Sequence, residues 1–325
     1  MPEFDTPHID PRLRPDPKAF AYDLGEALNS VVSLHAKVPD NAFTAGTLGT
    51  ERAGHGVVIG DGGLILTIGY LVVEAEAIWL VDHTGAAFPG HVTGYDHETG
   101  FGLVQALGKT TAPAIELGAA ADTKPGDTVV LAGHGGRVGA ITAEIEEKLE
   151  FAGYWEYLLE EAIFTTPAHP FWGGAALIGP TGRLAGIGSL FVQQNPEEGS
   201  TYDGNMVVPI DLLTPILGDL CRFGRPQRPA RPWIGALTAE ADGRVVVVGL
   251  WNNGPAEDAG LQPGDIVIGV AGRHVTTLPE LFRAMWGLGQ AGVAVPLDVM
   301  RTGRLTEVII ESGDRADFYV SPQMH

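Results

Sequence analysis

The chain has a single cysteine, Cys221, among its 325 residues. No disulfide can form within it, and metal sites built from several thiolates are excluded. Positive charge is scarce: 20 Lys and Arg stand against 40 Asp and Glu, for a formal net charge of −20. Such a surface repels phosphate backbones and anionic headgroups, so neither nucleic acid nor a membrane is an expected partner. No apolar run approaches the ~20 residues that a membrane-crossing helix needs. The opening "MPEFDTPHIDPRLRPDPKAF" has no apolar stretch of the kind that marks a secretory leader, and a cytoplasmic location is expected from it. Compact metal motifs are missing as well. His83, His91 and His97 fall near one another without forming a His-Glu-x-x-His pattern, and "AGHGGRVG" lacks the Lys-Ser/Thr that follows a phosphate loop. No metal and no cofactor is expected.

Glycine and proline are plentiful, at 45 and 23 residues, and 45% of the chain is hydrophobic. That composition favours many short strands, in two or three domains. Met1 to Lys18 reads as a flexible, proline-rich arm, and Ala19 to Ser33 as a helix with Phe20, Leu24, Leu28 and Val31 on one face. "GHGVVIG", "LILTIGYLVV", "AIWLV", "FGLVQAL", "DTVVLAG" and "GRLAGIGSLFV" are apolar runs cut by Gly, Asp or Pro, the pattern of a sandwich or barrel. The acidic, aromatic segment "EIEEKLEFAGYWEYLLEEA" interrupts this pattern and is expected to be a solvated loop or short helix, or else a regulatory or interface loop. A helix is expected over "PIDLLTPILGDLCRFG", and "RPQRPARP" reads as a linker.

The module after the linker carries "GPAEDAGLQPGDIVIGVAGRHV", Gly254 to Val275. This stretch resembles a PDZ domain of the type joined to HtrA-family serine proteases. The resemblance implies capture of an extended peptide, often a free C-terminus, along a sheet edge. It assigns the carboxylate loop to Trp233, Ile234, Gly235 and Ala236. Upstream, "GHGVVIGDGGLILT", "GHVTGYDHETGFGLVQA" and "HPFWGGAALIGPTGRLAGIGS" resemble the HtrA-type, trypsin-like double β-barrel. The expected architecture is therefore mainly β. It comprises an arm at 1–26, a double β-barrel at 27–222, a linker at 223–230, an α+β PDZ domain at 231–315 and a tail at 316–325.

Active members of that family need a serine nucleophile, a histidine base and an aspartate that orients it. Anchoring on Leu66-Thr67 puts Tyr70 in the histidine's place, and anchoring on Val72-Val73 points to Leu71. The first choice keeps the next segment in register. Gly100 falls where the aspartate belongs, while nearby Asp96 matches a different family residue. Pro170 to Leu177 matches the nucleophile turn without a gap and puts Gly173 in the serine's place; anchoring on the Gly-Gly pair gives Trp172. Pro167 to Gly179 contains no Ser, Thr or Cys, and Phe171 replaces a glycine whose N–H helps form the oxyanion hole.

The expected protein is thus a pseudoprotease that works as a peptide-binding scaffold or regulatory subunit. The first alternative is an active trypsin-like serine endopeptidase. The second is an enzyme of other chemistry in the same cleft, for which His134 and His169 are the candidate acid–base pair. Seven aromatics (Phe151, Tyr154, Trp155, Tyr157, Phe164, Phe171 and Trp172) suggest either core packing or a filled cleft or protein-binding patch. By analogy with the family, a homo-oligomer is expected, a trimer before a dimer, through an N-terminal segment that here holds Phe20 and Tyr22.

Overall fold

The computed structural model describes residues 9–194 and 202–320. The first eight residues of the expected arm and the last five of the tail lie outside the described residues. The chain divides into two compact units: one runs through Leu149 and resumes over Glu161–Pro226, and the other takes Glu150–Glu160 and Gln227–Tyr319. The segment Glu150–Glu160, expected inside the barrel domain, thus belongs to the second unit.

The first unit begins with part of the arm. Asp10 and Asp16 each accept a backbone N–H two residues on and start 3-10 turns at Pro11–Leu13 and Pro17–Ala19. Ile9 is buried in the second barrel's core, and Arg137 donates to the Pro15 carbonyl, so this stretch is tied down rather than flexible. The helix expected over Ala19 to Ser33 is only α1 (Leu24–Asn29). It stops where the Ser30 hydroxyl bonds back to the Ala27 carbonyl. From Val31 the chain is strand, since consecutive β-branched residues are stiff at χ1 and suit a pleated surface.

β1 (Val31–Lys37), α2 (Ala45–Leu48), β2 (Glu51–Gly60), β3 (Leu64–Ile68), β4 (Ala77–Val81), β5 (Ala87–Tyr95) and β6 (Phe101–Ala106) build the first barrel. The strands close in the order β1-β2-β3-β6-β5-β4, with β4 pairing back to β1. Leu34, Ile65, Leu80 and Leu103 are fully buried within this unit.

The second barrel uses β7 (Thr128–Ala132), β8 (Ala140–Gly153), β9 (Tyr157–Thr166), β10 (Ala176–Ile178), β11 (Leu184–Gln194) and β12 (Tyr202–Pro209), in the order β10-β11-β12-β9-β8-β7, with β7 closing on β10. Val129, Leu131, Ile141, Ile163, Leu177 and Val207 share its core. The acidic segment is neither loop nor helix but the β8–β9 hairpin. Its alternation was present in the sequence: Ile145 points inward while Glu144 and Glu146 are exposed. The helix expected near Pro209 shrinks to a 3-10 turn, Ile210–Leu212, followed by α3 (Leu217–Phe223), which ends at Gly224 with φ 74°.

The second unit carries β13 (Ala236–Ala241), β14 (Arg244–Leu250), α4 (Pro255–Asp258), β15 (Ile266–Val270), β16 (Arg273–His274), α5 (Leu278–Trp286), β17 (Ala294–Arg301) and β18 (Arg304–Glu311). The sheet runs β13-β14-β15-β17-β18, with β16 paired to β15, so β13 is an edge. Val295, Leu297 and Val299 alternate inward on β17. Leu278, Leu281, Phe282 and Met285 recur at helical spacing and bury one face of α5 in the same core. Asp265 makes a two-pronged ion pair with Arg301, at 2.7 and 2.6 Å, and accepts the Gln262 N–H at 2.9 Å, fixing the turn into β15.

Candidate functional site

In the first unit, the three positions singled out from the sequence converge. Tyr70 lies in the 3-10 turn Gly69–Leu71 that follows β3. Its hydroxyl donates to the Ser189 carbonyl at 2.8 Å. A Cβ built on Gly173 would lie 2.8 Å from that same hydroxyl oxygen, so Tyr70 and Gly173 face each other directly. Gly100, with φ 83°, sits beside the Tyr70 turn: its carbonyl accepts the Gly69 N–H at 2.6 Å, and its own N–H donates to the Asp96 carbonyl at 2.8 Å. Asp96 is buried and caps the turn through the Thr99 N–H, at 3.1 Å. Leu71, the alternative to Tyr70, is buried, with its methyl groups against Gly54.

Burial drives the Tyr70 phenol well above its ordinary pKa, and a hydrogen bond with Trp172 pulls it only partway back. The phenol is therefore neutral at physiological pH, a hydrogen-bond donor rather than a base.

The turn at Pro167–Ala175 is held from several sides. The His55 N–H donates to the Gly173 carbonyl at 2.9 Å, and the Gly174 N–H donates to the Gly188 carbonyl at 2.9 Å. Gly174 has φ 77°, and a Cβ there would sit 1.9 Å from the His55 carbonyl oxygen, so only glycine fits. The Phe171 N–H, which the family resemblance matched to an oxyanion-hole donor, donates to His169 Nδ1 at 3.0 Å. His169 Nε2 lies 2.9 Å from the Gly139 carbonyl, which makes Nε2 the protonated nitrogen. The Phe171 N–H is thus satisfied inside the fold.

A buried histidine lies behind this turn, one that sequence reasoning missed. His55 accepts the His134 N–H on Nδ1 at 3.2 Å, while its Nε2 is buried with no partner. Burial, reinforced by His169 and His134, pushes its pKa down to about 3. His169 is shifted down by burial as well. The imidazoles of His55 and His169 lie edge to face at 6.3 Å. His134 Nε2 is 3.0 Å from the Asp82 carbonyl. The suggested His134/His169 pair is therefore split, each ring nitrogen at Nε2 committed to a different carbonyl.

Six of the seven aromatics fall into two groups, and the seventh, Phe164, is buried on β9. Phe171 packs on His55 and Trp172 on Phe191, at 6.0 and 5.6 Å, near the turn. Phe151, Tyr154, Trp155 and Tyr157 cluster in the β8–β9 hairpin, with Trp155 stacked on Tyr157 at 5.5 Å. Phe20 and Tyr22 pack at 5.4 Å, and the Tyr22 ring covers Gly182 of the same chain.

In the second unit, the loop before β13 forms an anion cradle. The N–H groups of Ile234, Gly235 and Ala236 converge on one carboxylate, that of Glu156, at 3.1, 2.7 and 3.0 Å. Gly235 has φ 77°, which turns successive N–H groups to the same side. Trp233 does not take part as a donor: its N–H goes to the Gly313 carbonyl at 3.1 Å. Burial raises Glu156 to about 7, although the three N–H donors and Arg315 pull it the other way. Nothing in the sequence distinguishes Glu156 from the other glutamates of its segment; only the folded hairpin brings it to the loop.

Two closed six-stranded barrels with the marked turn between β9 and β10, followed by an edge-stranded sheet with a glycine-turned N–H cradle, define a trypsin-like domain and a PDZ domain in one chain. Residues 54–187 match the trypsin-like peptidase domain family, and residues 232–311 match the PDZ domain family. This is the domain plan of the HtrA-type serine proteases. Serine endoprotease DegS of Salmonella typhimurium is 24% identical over 319 residues, covering 93% of this chain and 86% of that protein. A probable periplasmic serine endoprotease DegP-like of Pseudomonas fluorescens is 24% identical over 281 residues, 81% of this chain and 56% of its own. The chain thus spans about half the length of the DegP-like relatives it matches. Among solved structures, HtrA-type protease AlgW with decapeptide superposes with a TM-score of 0.54 at 18% identity, covering 90% of this chain and 99% of that one. The serine endoprotease from Yersinia pestis gives 0.50 at 23% identity, over 90% and 98%. The cytoplasmic location expected from the N-terminal sequence is overturned by these relatives, several of which are named as periplasmic.

Proposed function

We propose that this chain is a non-catalytic HtrA-type protein that binds peptides or protein C-termini through its PDZ domain. One observation carries the reading: where the family keeps its nucleophile, Gly173 offers no side chain and faces the buried, neutral hydroxyl of Tyr70. Acyl transfer needs an attacking group and a base within hydrogen-bond reach of it. Here neither Tyr70, Gly100 nor Gly173 supplies one, and the Phe171 N–H is spent on His169. The glycines of the turn remain because they build the barrel. Peptide capture is supported by the N–H groups of Ile234, Gly235 and Ala236 and by the edge strand β13. Self-association as a homo-oligomer, a trimer first, is part of the proposal by analogy with the family.

The comparisons favour a second reading, an active trypsin-like serine endopeptidase, because the relatives are named serine endoproteases. Incubation of the full chain with unfolded casein separates the two. No cleavage above a protein-free control is expected. Cleavage that a serine-directed reagent abolishes makes the second reading the right one.

A further inference from the structure

The cradle before β13 is filled by the chain itself, and the manner of filling matches that of a bound peptide. β13 is an edge strand, and an open edge offers N–H and C=O groups to an added segment. The Thr238 N–H donates to the Tyr154 carbonyl at 2.9 Å. Two residues further on, the Glu156 carboxylate takes the three N–H groups of the loop. A peptide added to a PDZ edge lays its main chain along the strand and ends with its carboxylate in the loop. Tyr154, Trp155 and Glu156 reproduce that order, with a side-chain carboxylate in place of the terminal one.

A terminal residue has no chain beyond it, whereas Glu156 continues into β9. The structure meets this with φ 59° at Glu156, a left-handed conformation that turns the backbone away while the carboxylate stays in the loop. Such a conformation is unfavourable for a residue with a Cβ and persists only where other contacts impose it. Those contacts are present. Arg315 donates to the Trp155 carbonyl at 3.3 Å, and Arg283 bonds both Glu150 and Glu160 at the two ends of the hairpin tip. Leu158 lies in the same core as Ile234 and Ala236.

We infer that Tyr154-Trp155-Glu156 is an internal ligand of the PDZ domain, and that a partner's C-terminal carboxylate enters the cradle only by displacing Glu156. This rests on the reading that the domain captures terminal carboxylates. The partner it fits is a C-terminal segment able to outcompete a tethered one, which is always present at high effective concentration.

The test uses the full chain and a labelled peptide, Glu-Phe-Ala-Gly-Tyr-Trp-Val, with a free or an amidated end, followed by fluorescence polarisation. Glu156→Ala should bind the free-ended peptide at least tenfold more tightly than the unaltered chain does, and neither should bind the amidated one. Equal affinity of the two chains overturns the internal ligand while leaving carboxylate capture standing. Absence of binding to either chain, or binding indifferent to amidation, overturns carboxylate capture and the internal ligand with it. Amide hydrogen exchange on the same samples checks folding. Glu156→Ala should lose protection at Gly235 and Ala236 and keep it along β17. If β17 is deprotected too, Glu156→Gln replaces it: it keeps the shape and one acceptor but not the charge. It should bind the free-ended peptide at least threefold more tightly than the unaltered chain, and no gain there overturns the inference.

Discussion

Placing a serine at Gly173 looks like the way to restore a protease, but the packing predicts damage instead. A Cβ at Gly173 meets the Tyr70 hydroxyl oxygen at 2.8 Å, closer than carbon and oxygen tolerate. Either the turn shifts or Tyr70 retreats and loses its bond to the Ser189 carbonyl. Overpacking of this kind costs about 1–3 kcal/mol. A buried carbonyl left without its donor adds about 1 kcal/mol. Gly173→Ser should therefore destabilise by about 2–4 kcal/mol, or about 5–15 °C in Tm for a domain of this size. It should also stay inactive on casein, because no base stands ready for the new hydroxyl. Gly62→Ser is the control, since a Cβ at Gly62 meets nothing within 4 Å. Tyr70→His combined with Gly173→Ser should recover much of the loss, the imidazole being shorter than the phenol. Thermal melts of the four proteins decide the matter. A Gly173→Ser protein as stable as the parent refutes the facing arrangement of Tyr70 and Gly173.

Other expectations follow from buried ionisable groups. His55, pushed down to about 3, stays neutral in the fold while its unfolded counterpart takes a proton near pH 6.5. The unfolded state thus binds more protons in that window, and stability is lost as pH falls from about 6.5 toward 3, by about 2 kcal/mol at pH 5. His55→Gln should remove about one proton from the pH slope measured in urea melts between pH 6.5 and 4, and an unchanged slope counts against the assignment. Arg301 holds Asp265 below its usual carboxylate range and bonds the Gly260 carbonyl. Arg301→Ala should destabilise the PDZ domain at pH 7 by leaving the Asp265 carboxylate without its partner. The difference should shrink as acid protonates Asp265, and chemical denaturation at pH 7 and pH 3 reads it.

Much of the fold was legible because its signals are local. Apolar runs between glycines gave the barrel strands, and Gly254 to Val275 gave the PDZ domain. Of the three positions matched to the family's triad, Gly173 faces the Tyr70 hydroxyl, and Gly100 lies beside the Tyr70 turn through the Gly69 N–H. What escaped depended on distant packing. The β8–β9 hairpin was hidden by its charge, although Glu144, Ile145 and Glu146 alternate as a strand should. Val31 was read on a helix face because its apolar spacing fits both periods, and the pairing of β1 with β2 decided between them. Glu156 and Gly235 are 79 residues apart, so no spacing rule could join them. His55 looked like an ordinary strand residue until two barrels closed over it.

The central claim is that the trypsin-like site has no serine nucleophile, and a fluorophosphonate probe tests it most directly. The full chain should be labelled at neutral pH beside DegS of Salmonella typhimurium, a relative named as a serine endoprotease. The account predicts labelling of the relative and none of this chain, native or heat-denatured. Stoichiometric labelling that appears only in the native chain and maps by peptide mass to a serine in the first unit contradicts it.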